Sequence, residues 1–165
     1  MKYFNIKNFI TALFSIYLLN QFNPINSKTF KNENEEIRFV VLGHLYPILD
    51  GSNIQEKLFK KISNLNPDYI FVLGDSKLHK KNFVNNWRKN FGNKVYFAPG
   101  NNEIVNGNLD EYVESVGYKN IVIETSFVRL LVGNSNAHYS ELVDFIESST
   151  SNNKNKPNIL LVHHR

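Results

Sequence analysis

The chain has 165 residues, 42% apolar and 13% aromatic, enough for one globular core once an N-terminal segment is set aside. Its formal charge of +4 falls on lysines scattered in pairs such as Lys60-Lys61 and Lys80-Lys81 with acidic residues between them, a solvated surface rather than a nucleic-acid stripe. Cysteine is absent, which excludes disulfides, thiolate metal sites and a cysteine nucleophile, and leaves His, Asp, Asn and Tyr as metal donors.

Residues 1–27 read as an address. Lys2 and Lys7 precede an apolar stretch from Phe9 to Phe22, broken only by Thr11, Ser15, Asn20 and Gln21. At about 14 residues it is shorter than the roughly 20 of a membrane span and suits a signal-peptide core. Cleavage fits best after Ser27. The other reading is an uncleaved anchor that tethers the protein through residues 9–22. The expected location is periplasmic or extracellular in the first case and the outer face of the membrane in the second. Residues 28–36 are polar and charged and read as a linker.

From Ile37 to Arg165 strands and helices alternate. The first strand is Ile37 to Leu42, followed by a loop from Gly43 to Gly51. Ser52-Asn53-Ile54-Gln55 fits a capping box, with Ile54, Leu58, Ile62 and Leu65 along one helical face. Tyr69 to Leu73 is the second strand, Phe83 to Lys89 a helical stretch, and Val95 to Ala98 the third strand. Asp110 to Val116 reads as a helix closed by Gly117. Ile121 to Ile123 and Phe127 to Val132 are strands that can form a hairpin. Tyr139 to Ile146 is a helix with Leu142, Val143 and Ile146 inward, Ser148 to Lys156 a polar loop, and Asn158 to Val162 the last strand. This alternation predicts βαβ units and an α/β fold with a mainly parallel sheet.

The chemistry sits where the apolar runs stop. Phe39-Val40-Val41-Leu42 leads into Gly43-His44, Ile70-Phe71-Val72-Leu73 into Gly74-Asp75, Val95-Tyr96-Phe97-Ala98 into Pro99-Gly100-Asn101-Asn102, and Ile159-Leu160-Leu161-Val162 into His163-His164. In open α/β sheets ligands bind at the carboxyl ends of the strands. Asp, Asn and His are hard or borderline ligands for Zn, Mn, Fe or Mg. Two bridged ions about 3.5 to 4 Å apart clamp a phosphate and activate a water between them.

In order and spacing these residues resemble the calcineurin-like metallophosphoesterases. That family carries an Asp-x-His after its first strand, a Gly-Asp after its second, a Gly-Asn-His-Asp/Glu after its third, a later strand ending in His, and a final Gly-His-x-His. Here Gly74-Asp75 matches the second block, Gly100-Asn101-Asn102-Glu103 the third except at its histidine, and Asn158 to Arg165 the strand ending in histidine. The resemblance implies the N-terminal part of an αββα sandwich, with Asp75 as a bridging carboxylate, Asn101 and His163 as ligands of one ion and His44 as a ligand of the other. It implies two metal ions, Mn, Zn or Fe. Asn102 stands at the position of the phosphate-contacting histidine, where it donates a hydrogen bond and cannot transfer a proton. His44-Leu45-Tyr46 replaces the Asp-x-His, and a Tyr46 phenolate favours ferric iron. The Gly-His-x-His block has no counterpart, so the expectation is a domain whose C-terminal part is missing.

The function the resemblance implies is hydrolysis of a phosphate mono- or diester, on a small molecule or a headgroup, through a metal-bound hydroxide. Two alternatives accompany it. Tyr46 and Asn102 at reactive positions fit a non-catalytic binding module of the same fold. Gly74-Asp75-Ser76 fits a serine esterase of the Gly-Asp-Ser type, with Gly100-Asn101-Asn102 as oxyanion donors. Against the esterase, a full strand and helix precede the motif and no Asp-x-x-His occurs.

Overall fold

Apolar runs without polar alternation must be covered on both faces. Here the runs that end at Leu42, Leu73, Ala98, Val132 and Val162 do this by sending alternate residues into two different cores. In a computed structural model of the chain, residues 9–11, 27–32, 35–45, 53–151 and 156–163 are described. In chain order their elements are strands β1 (Phe9–Thr11), β2 (Ser27–Asn32) and β3 (Glu35–Gly43), helix α1 (Asn53–Asn64), strand β4 (Tyr69–Leu73), helix α2 (Lys81–Phe91), strand β5 (Val95–Ala98), helix α3 (Asp110–Val116), strands β6 (Ile121–Glu124) and β7 (Arg129–Val132), helix α4 (Tyr139–Thr150) and strand β8 (Asn158–Leu161).

The strands form two four-stranded sheets, in the orders β2-β3-β4-β5 and β1-β8-β7-β6. In each, one outer strand runs antiparallel, β2 against β3 and β6 against β7, and the other pairings are parallel. Between the sheets Phe39, Phe71, Leu73 and Ala98 of the first meet Leu130, Val132, Ile159 and Leu161 of the second. The intervening residues point outward. Val40, Leu42, Ile70, Val72 and Phe97 pack with Phe59 and Ile62 of α1, Val84 and Trp87 of α2, and Tyr112 and Val116 of α3. Leu131, Leu160 and Val162 pack with Leu142, Phe145 and Ile146 of α4. The layers run helices, sheet, sheet, helix.

The α/β class and the β6-β7 hairpin hold, and several details differ from expectation. The segment 28–36, read as a linker, contributes an antiparallel strand pairing Phe30 with Ile37 and Lys28 with Phe39. An edge strand has one hydrogen-bonded neighbour and needs no apolar run, so its composition hides it. In α1 the buried face uses Phe59 and Ile62, while Ile54 is 39% exposed. In α4 the helix runs to Thr150, shortening the expected loop, and Phe145 rather than Val143 joins the core. Most of the leader 1–27, the Ser52 cap and Tyr46 lie outside the described residues, though Phe9–Thr11 runs parallel to β8. Among the described residues no helix is long and apolar enough to cross a membrane.

The free edge of β5 is closed by two tyrosines. The Phe97 N–H donates to the Tyr118 hydroxyl at 2.8 Å, and the Tyr112 hydroxyl donates to the Phe97 carbonyl at 3.0 Å. Arg88 of α2 donates to the last carbonyls of α3, Ser115 at 3.4 Å and Val116 at 2.5 Å, holding that helix over the edge. Burial pushes the Tyr118 phenol up to about 12, and pushes Tyr112 well above the ordinary tyrosine value. An unfolded phenol ionises near pH 10, whereas native Tyr118 holds its proton to about 12. This contribution to stability is therefore intact below about pH 10 and lost as pH rises from there towards 12. Urea midpoints measured from pH 8 to 12 should fall across that window. Tyr118→Phe should lower stability by about 1–3 kcal/mol at pH 8 and flatten the fall.

Candidate functional site

Parallel strands deliver the residues that follow them to one edge of a sheet. β3, β4 and β5 lie side by side and carry His44, Asp75 and the segment Gly100-Asn101-Asn102-Glu103 to one such edge. β8, in the other sheet, carries His163 to the same place.

The two sheets approach closely there at Gly74, which has no side chain, and a second glycine, Gly100, lets the next loop lie against Asp75. Gly74 has a φ of +60°, and a Cβ on it would lie 2.4 Å from His163 Cγ and 2.6 Å from Gly100 Cα. A Cβ on Gly100 would lie 2.5 Å from Asp75 N and 2.5 Å from Asp75 Oδ1. His44 and Asp75 also hold left-handed backbones, φ +55° and +48°. For residues other than glycine this costs about 1–3 kcal/mol each and persists only where neighbouring contacts enforce it. Those contacts are present: His44 N–H donates to Gly74 O at 3.1 Å, and Gly74 N–H donates to Ala98 O at 2.8 Å.

His163 Nδ1 lies 3.2 Å from the Leu73 carbonyl oxygen. A carbonyl only accepts, so Nδ1 carries a proton, and whenever the ring is neutral Nε2 carries the lone pair. That Nε2 faces Asp75 Oδ2 at 3.5 Å, and His44 Nδ1 approaches the same oxygen at 3.2 Å. A carboxylate oxygen opposite an imidazole lone pair is stabilised by a cation between them, the proton of an imidazolium or a metal ion. Metal-bound histidines commonly donate their other ring N–H to a main-chain carbonyl, as His163 does. Donor atoms sharing an ion at bond lengths of about 2.1 Å and a tetrahedral angle sit about 3.4 Å apart. The two observed separations lie on either side of that value. The Asp75 and His163 side chains are 6% and 11% exposed and His44 is 51% exposed, so the site opens on the His44 side.

The other expected residues sit at its margin. The Asn101 side-chain nitrogen lies 3.4 Å from Asn102 Oδ1. Asn102 meets Asp75 through its main-chain N–H, 2.9 Å from Oδ1, and its side chain is exposed. Among the described residues no three His, Asp or Glu side chains are gathered closely enough to hold a metal ion by themselves. His44 and His163 each approach Asp75 without forming such a group, so an ion there would need further donors from Asn101, water or residues outside those described. Ser76 is buried and its hydroxyl is committed to the backbone, donating to Gly74 O at 2.7 Å and accepting from Leu45 N–H at 3.2 Å. Burial, then Lys80, holds His79 below the usual histidine range.

No family model, curated protein or solved structure matches the chain. Its function is therefore argued from its own residues. Two contributions escaped the sequence reading. Glu103 is fully buried beneath the site and binds the main chain on both sides of it. The loop after β7 braces His163, the Ser135 hydroxyl donating to the His163 carbonyl and Asn136 Nδ2 donating to Pro99 O at 3.1 Å. The sequence offered Glu103 as the acidic end of the Gly100-Asn101-Asn102-Glu103 block and the run from Leu130 to Asn136 as a stretch resembling the same family, without a role for either.

A matched pair of glycine substitutions tests the close approach. Gly117 has a φ of +93° with open space around it, so Gly117→Ala pays only the backbone term, about 1–2 kcal/mol. Gly74→Ala should cost clearly more in the same denaturation experiment and shift the His163 imidazole resonances. Equal costs with an unmoved His163 would remove the close approach as a constraint.

Proposed function

We propose that the protein is a metal-dependent phosphoesterase whose ion is held by His44, Asp75 and His163, with Asn101 beside them. The observation that carries this is His163, fixed by Leu73 so that its free nitrogen faces a buried carboxylate oxygen. When bound, a divalent ion supplies Lewis acidity and activates water for attack on phosphorus. Asp75 supplies the anionic donor, and its second oxygen is pinned by Asn102 N–H so that Oδ2 stays turned towards the imidazoles. His44, half exposed, leaves the solvent side open to a phosphate ester. The exposed Asn102 amide is a hydrogen-bond donor for a phosphate oxygen and holds no transferable proton.

Mn, Zn and Fe all suit a His, Asp and Asn donor set. A second ion, as the resemblance implies, needs ligands beyond these four residues. Export belongs to the same proposal, resting on Lys2, Lys7 and the apolar stretch from Phe9 to Phe22. Asn102 supports one rival, a module of the same fold that binds ions or phosphate without turnover.

The test uses the full chain with Mn²⁺, Zn²⁺ or Fe²⁺, hydrolysis of p-nitrophenyl phosphate and bis-p-nitrophenyl phosphate, and calorimetric metal titration. The expected result is activity abolished by chelation and lowered by Asp75→Asn by more than the roughly 100-fold typical of a ligand's supporting partners. Metal binding without hydrolysis selects the binding module. No metal uptake, with any hydrolysis untouched by Asp75→Asn, removes the metal reading.

A further inference from the structure

A carboxylate is almost never fully buried unless something compensates its charge. Glu103 is 0% exposed, and the hydrogen bonds of its carboxylate come from the main chain and not from a cationic side chain. It accepts four main-chain N–H groups instead. Oε2 takes those of Asp75 at 2.8 Å and Gly100 at 2.7 Å, and Oε1 takes those of Ser76 at 2.9 Å and Leu78 at 3.2 Å.

These donors come from two loops. Asp75, Ser76 and Leu78 follow β4, and Gly100 follows β5. One carboxylate therefore sets the spacing between the loop that bears Asp75 and the loop that bears Asn101 and Asn102. It binds the very N–H of Asp75, the residue whose backbone is left-handed, and of Gly100, whose Cα packs against Gly74 and the Asp75 carboxylate. The four N–H groups take up the charge of the carboxylate, so its role is to hold the two loops.

We infer that Glu103 is a positioning residue: its buried carboxylate locks the two loops in register and sets the affinity of the His44, Asp75 and His163 site for a divalent ion without touching that ion. The inference rests on the metal reading above for its second half only. Gln is the same size, but its NH₂ cannot accept, so Glu103→Gln leaves two of the four N–H groups facing a donor and removes the charge.

The experiment compares amide hydrogen exchange in metal-free protein with Mn²⁺ titration, both on the full chain. In the wild type the amides of Asp75, Ser76, Leu78 and Gly100 should exchange as slowly as those within β4. If those four exchange freely, the inference is overturned with no variant needed, which covers the case in which Glu103→Gln does not fold. In Glu103→Gln they should lose protection by at least about 10-fold, the equivalent of one net hydrogen bond, while β7 and β8 keep theirs. The Mn²⁺ dissociation constant should rise about 10- to 100-fold. Trp87→Phe loosens the helix-side core without removing any of the four hydrogen bonds to Glu103 and should leave that constant unchanged. A rise of equal size in Trp87→Phe, or a uniform loss of protection in Glu103→Gln with unchanged Mn²⁺ affinity, overturns it. A wild type that takes up no Mn²⁺ defeats the metal reading, and exchange at the four amides then decides the clamp alone.

Discussion

The site depends on one close approach between the two sheets, at Gly74. Sheets packed face to face stand about 10 Å apart, with side chains filling the gap, and Phe39, Phe71, Ile159 and Leu161 are among the side chains that fill it here. At the strand ends the gap has to close for His163, on one sheet, to reach a carbonyl and a carboxylate on the other. Gly74 allows this by offering no Cβ to the His163 ring, and Gly100 allows the neighbouring loop to close over Asp75. A side chain at Gly74 would collide with the His163 ring, and one at Gly100 would collide with Asp75. The core fixes the distance between the layers, and Gly74 fixes where they touch.

That contact carries a conformational cost which the surrounding hydrogen bonds offset. Gly74, Asp75 and Lys77 have positive φ within four residues, and His44 opposite them does too. A turn of this kind would relax if the main chain were solvated, because water would satisfy its N–H groups in many conformations. Here the N–H groups are buried, so one arrangement satisfies them: Gly74 on Ala98, His44 on Gly74, and Asp75, Ser76 and Leu78 on Glu103. Desolvation thereby selects the conformation that places the Asp75 carboxylate between two imidazoles.

Much of this architecture was readable in advance, for a definite reason. Strands such as Ile70 to Leu73 and Ile159 to Leu161 are buried on both faces, so their sequences are continuous apolar runs whose ends stand out. The residue types at those ends, His44, Asp75 and His163, carried the site, and the structure brings those three together. What did not show was anything decided by non-local pairing. A single stretch cannot report whether its strand joins one sheet or another, so the strands themselves did not show the division into two sheets. β2 is written in polar residues because its role is main-chain pairing at an edge. In α1, Phe59 and Ile54 are both apolar, and the helix's rotation against the sheet decides which is buried.

The two buried carboxylates show why residue type alone does not assign a role. Asp75 and Glu103 each end a glycine-containing turn after a parallel strand, and both are withdrawn from solvent. Glu103 is saturated, with both oxygens taken by main-chain N–H groups, so it has no lone pair suitably placed for a ligand and its function is to hold. Asp75 gives one oxygen to Asn102 N–H and turns the other towards two imidazole nitrogens, one of which is fixed with its lone pair inward. An acceptor opposite an acceptor is a poor resting arrangement, which an imidazolium proton or, under the proposed function, a metal ion would relieve. The chemistry therefore follows from which oxygen is left unsatisfied by N–H donors.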